Sequence, residues 1–125
     1  MRVLVDSHVA LWWLEDNNRL GKKCKSTLLD SQLYFSVITP WELGIKKALG
    51  KLDYPDGIVQ ALKNSGFQIL EIRDTHAELA PTLELHHKDP FDRMMIAQAK
   101  IEGLKIATAD KQFDSYKIQT IDASK

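Results

Sequence analysis

Four acidic side chains stand out by where they fall: Asp6, Glu42, Asp92 and Asp110. Asp6 directly follows the apolar run Val3-Leu4-Val5. Glu42 lies just past a β-rich segment at 33–37, in the first turn of an expected helix. Asp92 opens the helix expected over 90–102, and Asp110 follows the strand expected over 105–108. Ligands of open parallel sheets bind beyond the carboxyl ends of the strands. Three of these acids belong to strand ends, and the fourth to a helix N-terminus able to face them. Carboxylates gathered in one pocket repel each other, so they take up protons or bind a cation. An all-oxygen donor set suits Mg²⁺ or Mn²⁺ rather than zinc.

Each acid also has a local reading. Thr39-Pro40-Trp41-Glu42 has the form of a capping box with Pro at the first helical position. Asp89-Pro90-Phe91-Asp92 repeats the layout with Asp as the cap. Asp6 and Asp110 can each cap the element that follows, and the helix dipole favours acids there in any case. Their common place at one sheet edge is what distinguishes the four.

The elements that must position them alternate along the chain. Strands are expected over residues 3–5, 33–37, 67–70, 105–108 and 117–121. Helices are expected over 8–15, 22–30, 40–49, 58–64, 74–85 and 90–102. Gly50, Gly66 and Gly103 end three of the helices, and Pro81 breaks or kinks a fourth. This alternation predicts an α/β fold: a three-layer α/β/α sandwich on a central, mainly parallel sheet.

At 125 residues the chain has room for one domain, spanning 1–125. Seventeen basic and seventeen acidic residues balance to a formal charge of zero, which excludes binding to DNA or membrane by bulk positive charge. The single cysteine, Cys24, permits neither an internal disulfide nor a cysteine-based zinc site, and reads as a small apolar residue. The early apolar run at 9–14 is far too short to span a membrane, and the start lacks the pattern of a signal peptide. A cytoplasmic protein with no membrane partner is expected.

Four segments together resemble the PIN domain. Val3-Leu4-Val5-Asp6-Ser7-His8 is similar to its opening, and Ser36-Val-Ile-Thr-Pro-Trp-Glu42-Leu to its second motif. His87-Lys-Asp-Pro-Phe-Asp92-Arg-Met-Met-Ile-Ala-Gln-Ala99 is the most specific match, and Thr108-Ala109-Asp110 resembles the fourth motif. Order and spacing agree over nearly the whole chain. The resemblance is closest to the VapC-type toxins of bacterial and archaeal toxin–antitoxin pairs. It implies a Mg²⁺- or Mn²⁺-dependent ribonuclease acting through Asp6, Glu42, Asp92 and Asp110. Asp6 and Asp92 are then the main metal ligands. Glu42 and Asp110 complete the site, hold a second cation, or orient the attacking water. Asp92 is preferred to Asp89 because Ala97 and Ala99 then fall where the family has small residues, which leaves Asp89 as the N-cap. The resemblance further implies an RNA substrate, a cognate antitoxin whose arm occludes the acidic groove, and a homodimer joined through an apolar patch near the first helices.

Other residues carry paired expectations. The hydroxyls of Ser7 and Thr39 either hydrogen-bond a carboxylate or water at the cation, or cap helices. Arg93 either reaches a phosphate or is a solvated or salt-bridged surface residue. Lys46, Lys47 and Lys111 either line an RNA path or form a solvated face. Trp12 and Trp13 cannot share one helix face, so one is core and the other partly exposed, at a partner interface or an RNA base-stacking position, with the interface favoured. His8 either touches the site edge or packs in the core or on the surface, the second being favoured. His86-His87 fits no metal-binding spacing, and His76 reads as structural.

Rival readings fit less well. A receiver domain wants an acidic pair after the first strand, and a haloacid-dehalogenase-type phosphatase wants Asp-x-Asp. This chain has Asp6-Ser7-His8. A catalytically silent PIN module used only for binding would normally have lost an acid, and all four are present.

Overall fold

Val3, Leu4 and Val5 have no exposed surface at all. A central parallel strand with helices on both faces requires this, since neither of its faces meets water. The computed structural model describes residues 1–125, and its first strand is β1 (Arg2–Val5). The remaining strands are β2 (Gln32–Ser36), β3 (Phe67–Leu70), β4 (Lys105–Thr108) and β5 (Thr120–Asp122). The helices are α1 (Ser7–Glu15), α2 (Lys22–Leu29), α3 (Ile38–Ala48), α4 (Ile58–Asn64), α5 (Asp74–Leu79) and α6 (Pro90–Glu102).

All five strands run parallel, in the order β3-β2-β1-β4-β5. Leu4 registers with Tyr34 on one side and Ile106 on the other. The chain builds outward from β1 to β3, then returns to the far side of β1 for β4 and β5. The reversal puts a topological switch point between β1 and β4, where such sheets open a crevice at their carboxyl ends.

Strand alternation splits the core into two layers. Val3 and Val5 pack with Val9, Leu11, Cys24, Leu28, Leu43 and Leu62 on one face. Leu4 and Ile106 pack with Met95, Ile96, Ala99 and Phe113 on the other. The expected three-layer α/β/α sandwich is therefore the observed one. Burying each of these larger aliphatic side chains contributes about 1.5–3 kcal/mol. No helix is long and apolar enough to cross a membrane.

Local differences from expectation have physical causes. The third helix begins at Ile38 rather than Pro40, so Thr39-Pro40-Trp41-Glu42 is not a capping box. Instead the Ser36 hydroxyl accepts the Ile38 N–H at 3.2 Å, and Glu42 stands one turn inside the helix. Pro40 is tolerated there because first-turn N–H groups have no helical partner. The helix expected over 74–85 stops at Leu79 and tightens into a 3-10 turn over Ala80–Thr82 around Pro81. A second 3-10 turn, Lys111–Ser115, fills the connection after β4, and the last strand starts at Thr120 rather than 117. Gly103 ends α6 in the left-handed region, at φ 67°, as its type suggested.

Candidate active site

Asp6 leaves the end of β1, and its backbone N–H still pairs with the Ala107 carbonyl of β4 at 2.9 Å. That bond places its carboxylate at the switch point. The side chain caps nothing. Its Oδ2 accepts the Thr108 hydroxyl at 2.8 Å, and the same hydroxyl oxygen accepts the Asp110 N–H at 3.0 Å. Thr108 thus ties the first acid to the fourth. Burial pushes the Asp6 carboxyl up to about 6; Thr108 opposes this, while the charges of Glu42 and Asp110 add to it.

Asp92 enters from α6. Asp89 caps that helix, its Oδ1 accepting the N–H groups of Phe91 (2.8 Å) and Asp92 (3.2 Å), with Pro90 at the first helical position. The cap fixes the first turn, and the turn aims Asp92 toward the sheet edge. Burial, followed by the charges of Asp6, Asp89, Glu42 and Asp110, raises its carboxyl to about 8. The four acids predicted to meet therefore share one electrostatic pocket, and Asp89 stands close enough to act on it.

Glu42 comes from α3 and is only 3 % exposed. Lys46, one turn on, approaches its Oε2 at 3.3 Å, and Oε1 has no partner. A buried carboxylate oxygen without a partner is costly. A hard cation would satisfy it, and an all-oxygen set offered by Asp6, Glu42, Asp92 and Asp110 is the chemistry that Mg²⁺ or Mn²⁺ accepts. The residues present fit such a group.

Lys46 also contacts His8 Nε2 at 3.2 Å. Burial and the Lys46 charge lower the pKa of that imidazole. His8 is thus at the edge of the site rather than a residue of packing alone. Lys47 faces elsewhere, toward Asp56 and the Tyr54 carbonyl. Lys111 lines a small polar recess of 150 Å³ with Asp110, Asp114 and Asp122.

Several expectations change. Ser7 and Thr39 are wholly buried and hydrogen-bond each other at 2.9 Å, joining α1 to α3. They neither cap nor reach a carboxylate, because Thr39 lies inside its helix rather than ahead of it. Arg93 is neither a phosphate ligand nor a surface residue. It is buried, and its guanidinium donates to the carbonyls of Ala80, Pro81, Leu83, Glu84 and His87. It pins the loop ahead of α6. Trp12 and Trp13 both pack half-buried against the core, with Trp13 edge-on to Phe67. The exposed tryptophan is Trp41, on α3, at 62 % exposure.

The residue missed by sequence reasoning is His87. Its Nε2 lies 2.8 Å from Asp110 Oδ2 and 2.9 Å from Asp92 Oδ2. Metal-motif spacing could not find it, since its neighbours are remote or helical. Its place two residues before the helix cap Asp89 was the available signal. His76 is structural, as read: it is buried, and its Nδ1 accepts the Arg73 N–H. Cys24 is buried, which pushes its thiol up to about 11.

Known proteins share this fold. Ribonuclease VapC22 of Mycobacterium tuberculosis is 24 % identical over 119 residues, covering 92 % of each chain. Among solved structures, VapBC2 from Rickettsia felis, bound to a DNA fragment from its promoter, matches with a TM-score of 0.70 at 11 % identity. The match covers 97 % of this chain and 98 % of that one. VapBC-1 from nontypeable Haemophilus influenzae matches at 0.69 and 21 % identity over the full length of both. The PIN domain model itself matches residues 3–119, and with its acids gathered at the carboxyl edge of the sheet this chain belongs to the PIN domain family.

Proposed function

We propose that this chain is an endoribonuclease that hydrolyses RNA phosphodiester bonds with Mg²⁺ or Mn²⁺, and that it is the toxin of a type II toxin–antitoxin pair. The observation that carries the reading is the pocket of Asp6, Glu42, Asp92 and Asp110 at the switch point. Burial and mutual repulsion raise two of its carboxyls, to about 6 and about 8. Groups this perturbed in a cleft mark functional sites. The naming of VapC22 as a ribonuclease, and of structural neighbours as VapBC complexes, supports the chemistry and an antitoxin partner.

Asp6 and Asp92 would hold the cation, with Glu42 and Asp110 completing the set. The bound cation would neutralise the carboxylates, offset charge on the phosphoryl oxygens and acidify nearby water. An ionised carboxylate of the set would take the proton of the attacking water as the new P–O bond forms, while the old P–O bond breaks and the leaving ribose oxygen takes up a proton from solvent to become a hydroxyl. Thr108 holds Asp6 in register with Asp110, and Lys46 balances the charge of Glu42. The carboxylates repel RNA until they are neutralised, so cation binding precedes or accompanies productive substrate binding.

Trp41 and Ile45 on α3, with Leu49 just past its end, recur every four residues, at 62 %, 38 % and 64 % exposure. We assign this stripe to a homodimer contact. We place its action in the cytoplasm, where it would meet its RNA substrate.

The test is cleavage of total cellular RNA by purified protein with Mg²⁺ or Mn²⁺, against EDTA and beside Asp6→Asn. Discrete fragments that need the metal and vanish in the variant are expected. Equal cleavage by Asp6→Asn or Asp92→Asn would show the assigned site to be wrong, and no cleavage with either metal would favour a binding module.

A further inference from the structure

His87 lies in the loop ahead of α6, with its ring set between two of the four acids. Nε2, Asp92 Oδ2 and Asp110 Oδ2 all lie within 4.8 Å of one another. A nitrogen in that position has two possible uses. It can turn a lone pair toward a cation, or it can donate an N–H to the carboxylates that hold the cation.

The other ring nitrogen decides between them. The Asp89 backbone N–H donates to Nδ1 at 3.2 Å, so Nδ1 carries a lone pair and no proton. A neutral imidazole with a bare Nδ1 is protonated at Nε2. That proton faces Asp110 Oδ2 in a 2.8 Å hydrogen bond, with Asp92 Oδ2 2.9 Å away. Nε2 then has no lone pair left for a metal.

The surroundings hold the ring in this orientation. The His87 backbone N–H donates to the Tyr116 hydroxyl at 2.9 Å, and its carbonyl accepts from Arg93 at 3.2 Å. The ring packs edge-on to Phe113, with centroids 5.6 Å apart, and the residue is 8 % exposed. Asp89 takes part twice: its side chain caps the helix that carries Asp92, and its backbone sets the tautomer of His87.

We propose that His87 is a positioning residue whose Nε2–H holds Asp110 against Asp92, so that one cation reaches both carboxylates, and that His87 does not itself ligate that cation. The proposal rests on the cation-dependent reading above. Outer partners of metal ligands typically govern affinity by about 10–100-fold.

The experiment uses the full chain as wild type, His87→Ala and His87→Gln, with Mn²⁺ alone as probe. Mn²⁺ affinity is read by electron paramagnetic resonance, and directly bound nitrogen by electron spin echo modulation. ¹⁵N-histidine NMR reads the tautomer of the metal-free protein. Nε2 is expected to carry the proton, and no nitrogen should couple directly to Mn²⁺. Affinity should fall about 10-fold or more in His87→Ala and largely return in His87→Gln, whose amide can still donate. Direct nitrogen coupling that disappears in His87→Ala, a proton on Nδ1, or wild-type affinity in His87→Ala would each overturn the proposal. Wild-type protein that binds neither Mn²⁺ nor Mg²⁺ would overturn the cation site and this role together. Normal wild-type binding with an unaffected His87→Ala would overturn this role alone.

Discussion

Replacing Asp92 by Asn should stabilise the metal-free protein at high pH while abolishing its cation response. Burial and four neighbouring carboxylates raise the Asp92 carboxyl from 3.8 to about 8. Between those values the folded chain keeps a proton that the unfolded chain releases. Stability therefore falls as pH rises through that window: the contribution is complete below about pH 4 and lost above about pH 8. Four pH units at about 1.4 kcal/mol each place the cost of ionising Asp92 at about 6 kcal/mol. Asp6, raised from 3.8 to about 6, acts in the same direction over the lower part of the window. The charge of Asp6 is itself one cause of the Asp92 value, so the two effects do not simply add. Asn keeps the size of a neutral carboxyl and carries no charge. Denaturant unfolding in EDTA from pH 5 to 9 should show wild-type stability declining with pH and Asp92→Asn declining much less. The gap should reach several kcal/mol at pH 9. Excess Mg²⁺ or Mn²⁺ should restore the wild type and leave the variant unchanged, because ligand binding stabilises only the state that binds it. Parallel pH profiles for the two proteins, or a less stable variant at pH 9, would refute the electrostatic account of the pocket.

Other perturbations separate the parts of the site. Arg93→Ala removes a donor from five buried or half-buried carbonyls, of which Glu84 keeps the Tyr116 hydroxyl and Ala80 the Leu83 N–H. It should cost about 3 kcal/mol or more in denaturant unfolding, and an equally stable variant would remove the loop-pinning role. Thr108→Val removes the hydroxyl that lowers the Asp6 value. The Asp6 carboxyl should titrate higher by NMR and Mn²⁺ affinity at pH 7 should fall, whereas an unmoved titration would deny the bond its influence. Trp41→Ser with Leu49→Ser should give monomers by analytical ultracentrifugation where the wild type gives dimers, and persistent dimers would place the interface elsewhere.

The fold was legible in the chain because its signals are local. The apolar run Val3-Leu4-Val5 can only be a buried strand, and Asp89-Pro90 with Gly103 brackets α6 at both ends. Pro81 was seen as a break because its ring cannot continue a helix. The start of α3 was misplaced because two helix-start signals compete within 36–42. The Ser36 hydroxyl takes the role that a capping box assigns to Thr39, and only the packing of β2 against its neighbours selects Ser36.

The acids were legible because each stands at an element boundary, and element order in a parallel sheet sends those boundaries to one edge. Sequence alone therefore determined the fold class and the family, and it singled out four carboxylates for the proposed site. The tertiary structure decided what surrounds them. Arg93 follows Asp92 in the chain, yet the helix turns its guanidinium into the loop carbonyls and away from the pocket. Ser7 meets Thr39 across 32 residues, and Thr108 meets Asp6 across 102. His87 joins the site through contacts to Asp92 and Asp110 that only the folded loop creates. The direction of a side chain, and the choice of hydrogen-bond partner among distant residues, depend on packing between elements, which no local spacing encodes.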